Sequence, residues 1–127
     1  ELKRTGGVLL LAQMSSRGNL LDLEYTRRVI DAGKNHEGVF GFIGNGSQVD
    51  QLSELKRLVG DEKFIWTPGI NIAVGDGEMG QRYGAPDQAI LAGADGIIVG
   101  SGIYNAKNPA EAAQNYADIS WKALLNR

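Results

Sequence analysis

Four short apolar runs without polar alternation divide the chain at regular intervals. They are residues 8–12, 39–43, 64–66 and 97–99. Continuous apolar runs of this length are typical of parallel strands that are buried on both faces. Consecutive runs begin roughly 25 to 33 residues apart, close to the length of one strand–helix–strand unit. The pattern therefore predicts four parallel strands, with a crossover helix in each gap.

The segments after the runs carry the periodicity and the end signals of helices. The second helix is predicted to begin with Ser47 as its cap and to stop at Gly60. The third has Pro86 in its first turn and Gly93 beyond its end, and the last begins at Asn108. In the first helix one face collects Leu23, Thr26, Val29, Ile30 and Gly33. The predicted element order is β-α-β-α-β-α-β-α.

This α/β order fits two architectures, a small doubly wound sheet or half of a TIM (β/α)8 barrel. An open sheet usually carries its ligand loop at the first strand–helix turn, but here that turn reads QMSSRGN and has no phosphate fingerprint. The half-barrel is therefore favoured. Four barrel strands by themselves would leave two unpaired edges and one uncovered apolar face. We expect either a missing half or a self-paired dimer.

Composition narrows the functional classes. The 127 residues, 43% of them apolar, suffice for one domain with a buried core. The net charge of −2, without a basic stripe, disfavours general nucleic-acid binding. Without cysteine the chain has neither a disulfide framework nor a thiolate metal site, and its one histidine could not build a metal site unaided. We therefore expect a cytoplasmic protein. No apolar stretch is long enough to predict a membrane span. The initial Glu1 suggests a piece of a longer polypeptide.

A glycine-rich segment follows the third predicted strand. Gly75, Gly77 and Gly80 have the G-x-G-x-x-G spacing of a dinucleotide fingerprint, which requires a strand directly before the first glycine and a helix at the last. Here the strand is predicted to end near Thr67 and the helix to start near Pro86. The segment is therefore interpreted as a long loop at the carboxyl end of a strand, where a barrel carries its active site.

Six segments together resemble one known family. They are LLLAQMSSRGNL, YTRRVID, VFGFI, WTPGI, GDGEMGQRYG and GADGIIVGSGIY. Their order and spacing are similar to the second half of the orotidine 5'-monophosphate decarboxylases. The resemblance implies that residues 1–127 are the last four βα units of a TIM barrel, the amino-terminal half being absent. It also implies conversion of orotidine 5'-monophosphate to UMP in pyrimidine biosynthesis, by a homodimer without a metal or cofactor.

The resemblance assigns three positions to the pyrimidine. Ser15 matches the serine that hydrogen-bonds the amide edge of the base, a role that suits a hydroxyl because it both donates and accepts. Pro68 and Gly69 match the turn whose main chain lies beside the base. On residue type alone, Ser15 could equally well be a loop or cap serine, and Pro68 and Gly69 would be an ordinary turn.

The phosphate end is assigned in the same way. Gln81 and Tyr83 match lid residues that reach the phosphate. Gln81 also bridges toward the serine when the lid closes. Gly100 matches a glycine at the start of a short helix, whose amide approaches the phosphate. Ser101 departs from the family, which has a phosphate-gripping arginine there. This loss should weaken phosphate binding unless Arg82 compensates.

The resemblance places no catalytic residue in this chain. The family's lysine–aspartate array lies on the second and third barrel strands, which precede it, so the isolated chain is expected to be inactive. One alternative is a non-catalytic half-barrel that self-associates and at most binds nucleotide weakly. Another is half of a different phosphate-binding barrel, such as a sugar-phosphate enzyme.

The remaining ionisable candidates are interpreted as structural or solvent-exposed. Asp76 and Glu78 lie on the presumed lid and are expected to face solvent. His36 is expected in an exposed loop, because no partner that would orient it for catalysis is identifiable. Asp95 is predicted to be a structural partner at a turn.

Overall fold

The computed structural model describes residues 6–73 and 83–127, which form one parallel sheet with helices. The strands are β1 (Val8–Leu11), β2 (Val39–Ile43), β3 (Phe64–Thr67) and β4 (Gly96–Ile97). The helices are α1 (Leu23–Gly33), α2 (Val49–Val59), α3 (Pro86–Leu91), α4 (Ser101–Tyr104) and α5 (Pro109–Leu125). None of these helices is long and apolar enough to cross a membrane.

The strands lie side by side in the order in which they occur in the chain, β1-β2-β3-β4, and every pair is parallel. In register, Leu10 is opposite Phe42 and Phe42 is opposite Ile65. A doubly wound sheet reverses its strand order at a switch point, whereas a barrel adds each new strand next to the last. The sequential order is therefore that of a barrel arc, and the predicted alternation of strands and helices is confirmed.

One face of the sheet is covered by helices. Phe42 and Ile65 are completely buried there, together with Leu52 and Leu55 of α2. The packing is tight, because a methyl group added to Gly44 would come within 2.8 Å of Leu52 and 2.9 Å of Leu55. Helices α1, α3 and α5 add their own side chains to the same cluster. This single core supplies most of the apolar burial in the described residues.

The opposite face of the sheet is apolar and uncovered among the described residues. We call it the bare face and define it by Leu11, Phe40, Phe64 and Trp66, which are between 37% and 48% exposed. The rings of Phe40 and Phe64 are 4.9 Å apart and contact one another. Within residues 6–73 and 83–127 the strands are thus buried on one face only, so the predicted burial on both faces is not found there. The uncovered face and the open edges at β1 and β4 agree with the half-barrel prediction.

Several helix ends differ from the prediction. Helix α2 begins at Val49, and Ser47 does not cap it, because its hydroxyl donates instead to Asn45 Oδ1 at 2.8 Å. Helix α1 is capped by Asp22, which accepts from the Tyr25 amide at 2.8 Å. Leu23 is exposed despite its place on the predicted inner face. Helix α5 begins after Asn108 as predicted.

Three ionisable side chains among the described residues have hydrogen-bond partners within the protein. Asp95 accepts from the Ile65 amide at 2.9 Å and pairs with Arg127 at 3.2 Å, which confirms its predicted structural role. His36 is exposed, as predicted. Its Nδ1 accepts from the Gly38 amide at 3.0 Å. On the outer face of α2, two hydrogen bonds from Arg57 lower the pKa of Glu54.

Candidate functional site

A partly buried amide network joins the loop after β1 to the loop after β2 and to α2. Gln13 Oε1 accepts from the Asn45 amide at 2.9 Å, and Gln13 Nε2 donates to the Gln51 carbonyl at 2.8 Å. Asn45 Nδ2 donates in turn to Gln51 Oε1 at 3.0 Å. Gln13 and Asn45 are buried, and because buried polar groups are stable only when they are paired, these contacts hold both side chains in place. The network holds the start of the loop that carries Ser15.

A backbone clamp closes the loop that follows β3. Gly84 donates to the Gly69 carbonyl at 2.7 Å, and Asn71 donates to the Gly84 carbonyl at 3.2 Å. Gly69 has φ 77°, in the left-handed region that glycine adopts without strain. A methyl group at Gly84 would collide with the Gly46 carbonyl oxygen, so the two loops approach through backbone alone. The clamp places Tyr83 beside the turn after β3.

The loops after β1, β3 and β4 surround a cleft of about 500 Å³ at the carboxyl edge of the sheet. Its lining includes all of the predicted binding residues that the structure describes, namely Ser15, Pro68, Gly69, Tyr83, Gly100 and Ser101. The predicted Gln81 and its neighbour Arg82 lie outside the described residues, as do Asp76, Glu78 and the glycines at 75, 77 and 80. The cleft therefore brings together predicted residues that are up to 86 positions apart in the sequence, from Ser15 to Ser101.

The cleft combines apolar walls with uncharged polar groups. Leu11, Ile70 and Ile98 supply aliphatic surface, and Tyr83 and Tyr104 supply aromatic rings. Among the described lining residues there is no lysine, arginine or histidine. No group of three or more potential metal ligands occurs in residues 6–73 and 83–127. The described lining is therefore suited to hold a partly polar ligand through hydroxyl and backbone groups.

Behind the cleft lies a polar cluster that the sequence did not reveal. The Tyr116 hydroxyl of α5 accepts from the Ile72 amide at 3.0 Å and lies 3.4 Å from Asn71 Oδ1. Asn71 Nδ2 lies 3.5 Å from the Ser101 hydroxyl. Tyr116 is recognisable in the sequence only as an inward-facing residue of α5, and Asn71 only as a loop residue. Their contact spans 45 residues, which no local pattern records.

A second cavity, of about 340 Å³, lies between the loop after β1 and α2 and contains none of the predicted site residues. Three carboxylates line it. Asp22 is engaged as the cap of α1 and Glu54 as the partner of Arg57, which leaves Asp50 at the start of α2. These contacts serve helix ends and surface pairs, so the cleft at the carboxyl edge is the better candidate.

Comparisons with known proteins agree on one family. Residues 1–116 match the family described as "Orotidine 5'-phosphate decarboxylase / HUMPS family". The orotidine 5'-phosphate decarboxylase of Aspergillus fumigatus is 38% identical over 123 residues, 95% of this chain and 44% of that protein. That of Aspergillus kawachii is 40% identical over the same length and with the same coverage.

Solved structures agree with the sequence relatives. Orotidine 5'-phosphate decarboxylase from Pyrococcus horikoshii superposes with a TM-score of 0.71 at 32% identity, over 91% of this chain and 51% of that one. The enzyme from Sulfolobus solfataricus gives the same TM-score at 28% identity, over 93% of this chain and 50% of that one. The chain thus spans about half the length of the relatives that it matches.

Proposed function

Because the chain belongs to the orotidine 5'-phosphate decarboxylase / HUMPS family, we propose that it supplies the nucleotide-binding end of an enzyme that converts orotidine 5'-monophosphate to UMP in pyrimidine biosynthesis. One observation carries the proposal. The described residues that the family resemblance assigns to the ligand, which follow three different strands, all line one cleft. A barrel carries its active site at this carboxyl edge.

In this proposal the pyrimidine lies between the loops after β1 and β3. Ser15 donates to and accepts from the amide edge of the base, as a hydroxyl can. The main chain at Pro68 and Gly69 lies beside the ring, and the positive φ of Gly69 allows this close turn. The aliphatic wall of the cleft covers the faces of the base.

The phosphate is proposed to lie at the other end of the cleft, near Tyr83, Gly100 and Ser101. Gln81 belongs to the same proposed set. Phosphate binding is remote from the reacting carbon, and such remote binding energy is what an enzyme uses to orient and desolvate its substrate. Arg82 is the proposed substitute for the family arginine that Ser101 replaces.

We further propose that the chain is the carboxy-terminal half of the barrel. The bare face then becomes barrel interior, filled by side chains of the other half, which also carries the lysine–aspartate array that performs decarboxylation. No metal or cofactor is required by this proposal, and the complete enzyme is proposed to be a cytoplasmic homodimer. Binding takes place in this half, whereas the bond to the carboxylate breaks beside residues of the other half.

The bare face also favours a second candidate function. Without the other half, Phe40, Phe64 and Trp66 remain exposed beside open strand edges, an arrangement that promotes association between copies. The chain would then be a self-associated, non-catalytic half-barrel that binds nucleotide weakly. The two functions are distinguished by adding the other half of the barrel. Decarboxylation in that mixture would identify the chain as part of the enzyme and would contradict the non-catalytic half-barrel.

Nucleotide binding at the cleft is tested by Ser15→Ala. Loss of the hydroxyl leaves the amide edge of the base without one partner, so we expect affinity for both UMP and uridine to fall by about tenfold. Ser53→Ala on the exposed face of α2 is the matched control and should leave both affinities unchanged. Titration followed by NMR measures them. Equal affinities in the wild type and in Ser15→Ala would contradict the assignment of Ser15 to the base.

Catalysis is tested with the purified chain and orotidine 5'-monophosphate. We expect no release of carbon dioxide above the uncatalysed background, because the proposed proton donor and its carboxylate partners lie outside this half. Quantification of UMP by chromatography measures the turnover. Decarboxylation by the chain alone would show that the catalytic groups are within these 127 residues and would overturn the division between the halves.

A further inference from the structure

Three uncharged side chains form a connected cluster behind the phosphate end of the proposed site. Tyr116 and Asn71 are buried, at 3% and 7% exposure, and Ser101 lies between them and the cleft. A methyl group at Gly102 would collide with the Tyr116 hydroxyl, so that hydroxyl packs directly against the backbone next to Ser101. The cluster therefore joins α5, the segment after β3 and the start of α4.

The orientation of the Asn71 amide follows from its neighbours. The Ala73 backbone N–H lies 2.9 Å from Oδ1, and a backbone N–H can only donate. The atom that it meets must accordingly be the amide oxygen. The Tyr116 hydroxyl accepts from the Ile72 N–H, which leaves its own proton for Asn71 Oδ1. Both contacts place the amide nitrogen of Asn71 toward Ser101.

This orientation determines the role of the Ser101 hydroxyl. Asn71 Nδ2, which can only donate, lies 3.5 Å from the Ser101 hydroxyl oxygen, so the proton of that hydroxyl is not directed at Asn71. Ser101 also lines the cleft, where a proton donor can meet an acceptor oxygen of a ligand. A phosphate monoester offers such oxygens, and its charge strengthens the hydrogen bond.

We propose that Asn71, held by Tyr116, is a positioning residue that directs the Ser101 hydroxyl toward the phosphate of the bound nucleotide. The inference rests on the proposed function. It adds a series of hydrogen bonds through which these residues favour a ligand that carries a phosphate. The three groups carry no charge, and their hydrogen bonds run in one direction. Tyr116 donates to Asn71, Asn71 donates to Ser101, and Ser101 donates to the ligand. Ser101 contacts the ligand, whereas Asn71 and Tyr116 act through it.

The test is Asn71→Asp, which keeps the shape and the acceptor for Ala73 but replaces the nitrogen donor by a carboxylate oxygen. Ser101 then donates to this carboxylate, and its proton turns away from the cleft. We expect affinity for UMP to fall by about tenfold or more, while affinity for uridine changes by less than about twofold. NMR titration of the full chain with each ligand measures both affinities. Asn115→Asp, exposed on α5, controls for the added charge and should change neither.

A double-mutant cycle separates positioning from simple repulsion. Asn71→Ala and Ser101→Ala should each weaken UMP binding, and the double variant should lose no more than the larger single loss, because both remove the same contact. Additive losses would overturn the inference, as would an equal loss of UMP and uridine in Asn71→Asp. If the wild type binds neither ligand, the proposed function fails first and the inference falls with it.

Discussion

Replacing Ser101 by arginine is expected to tighten UMP binding by about 30-fold or more. A desolvated ion pair typically contributes about 2 kcal/mol or more to binding, and 2 kcal/mol corresponds to about 30-fold in affinity. The resemblance implies an arginine at this position in the family, and the described lining of the cleft has no lysine, arginine or histidine. An arginine presents two parallel donors to a phosphate, which a serine hydroxyl cannot do.

The selectivity between UMP and uridine tests this result. Both ligands carry the same base and sugar, so only UMP should gain from Ser101→Arg in calorimetric or NMR titrations. Ser53→Arg adds the same charge on the exposed face of α2 and should leave the ratio unchanged. A gain that is equal for UMP and uridine, or equal in the two variants, would contradict the placement of the phosphate near Ser101.

The second large effect is expected from Phe42→Ala, which should lower the free energy of unfolding by about 3 to 5 kcal/mol. Phe42 is completely buried between the sheet and the helices, where a methyl group added to Gly33 would already approach its ring within 3.1 Å. Removal of the ring leaves a cavity in the only core of the described residues. Since a domain is stabilised by about 5 to 15 kcal/mol in total, this loss is a large fraction of the stability and should clearly lower the midpoint of denaturation.

Phe64→Ala is the matched control, because Phe64 is on the adjacent strand but on the bare face. Its ring is 48% exposed and contacts Phe40, so its loss should cost about 1 kcal/mol or less. Urea denaturation followed by circular dichroism measures both variants. If the bare face joins copies of the chain, sedimentation should show weaker association for Phe64→Ala. Equal destabilisation by the two variants would contradict the assignment of the faces.

The fold could be predicted because its signals are local and repeated. Each apolar run is followed by a segment with helical periodicity, and α5 shows both its capping Asn108 and its inward Tyr116 in the sequence. Parallel strands bring their carboxyl ends to one edge. The resemblance assigns to one ligand residues that follow three different runs. Ser15, Pro68 and Gly100 do line one cleft. Their roles toward a ligand remain predictions.

Other features depended on contacts that the sequence does not record. Ser47 matched a capping pattern, but Asn45 lies close enough to bind its hydroxyl. The apolar composition of the strands predicts burial on both faces. It indicates that each face needs a cover, but it does not indicate whether this chain or another polypeptide provides that cover. The pairing of Asn71 with Tyr116 depends on how α5 packs beside the segment after β3, which is a property of the whole fold.

The backbone clamp between Gly69 and Gly84 has an evolutionary consequence. The two ends of the intervening stretch are fastened to each other by main-chain bonds, whatever side chains lie between them. In general, doubling the number of residues in a closed stretch of chain costs only about 0.6 kcal/mol in chain entropy. Insertions and deletions between Ala73 and Tyr83 should therefore leave the clamp in place, so the length of that stretch can vary among descendants while the sheet and its helices are retained.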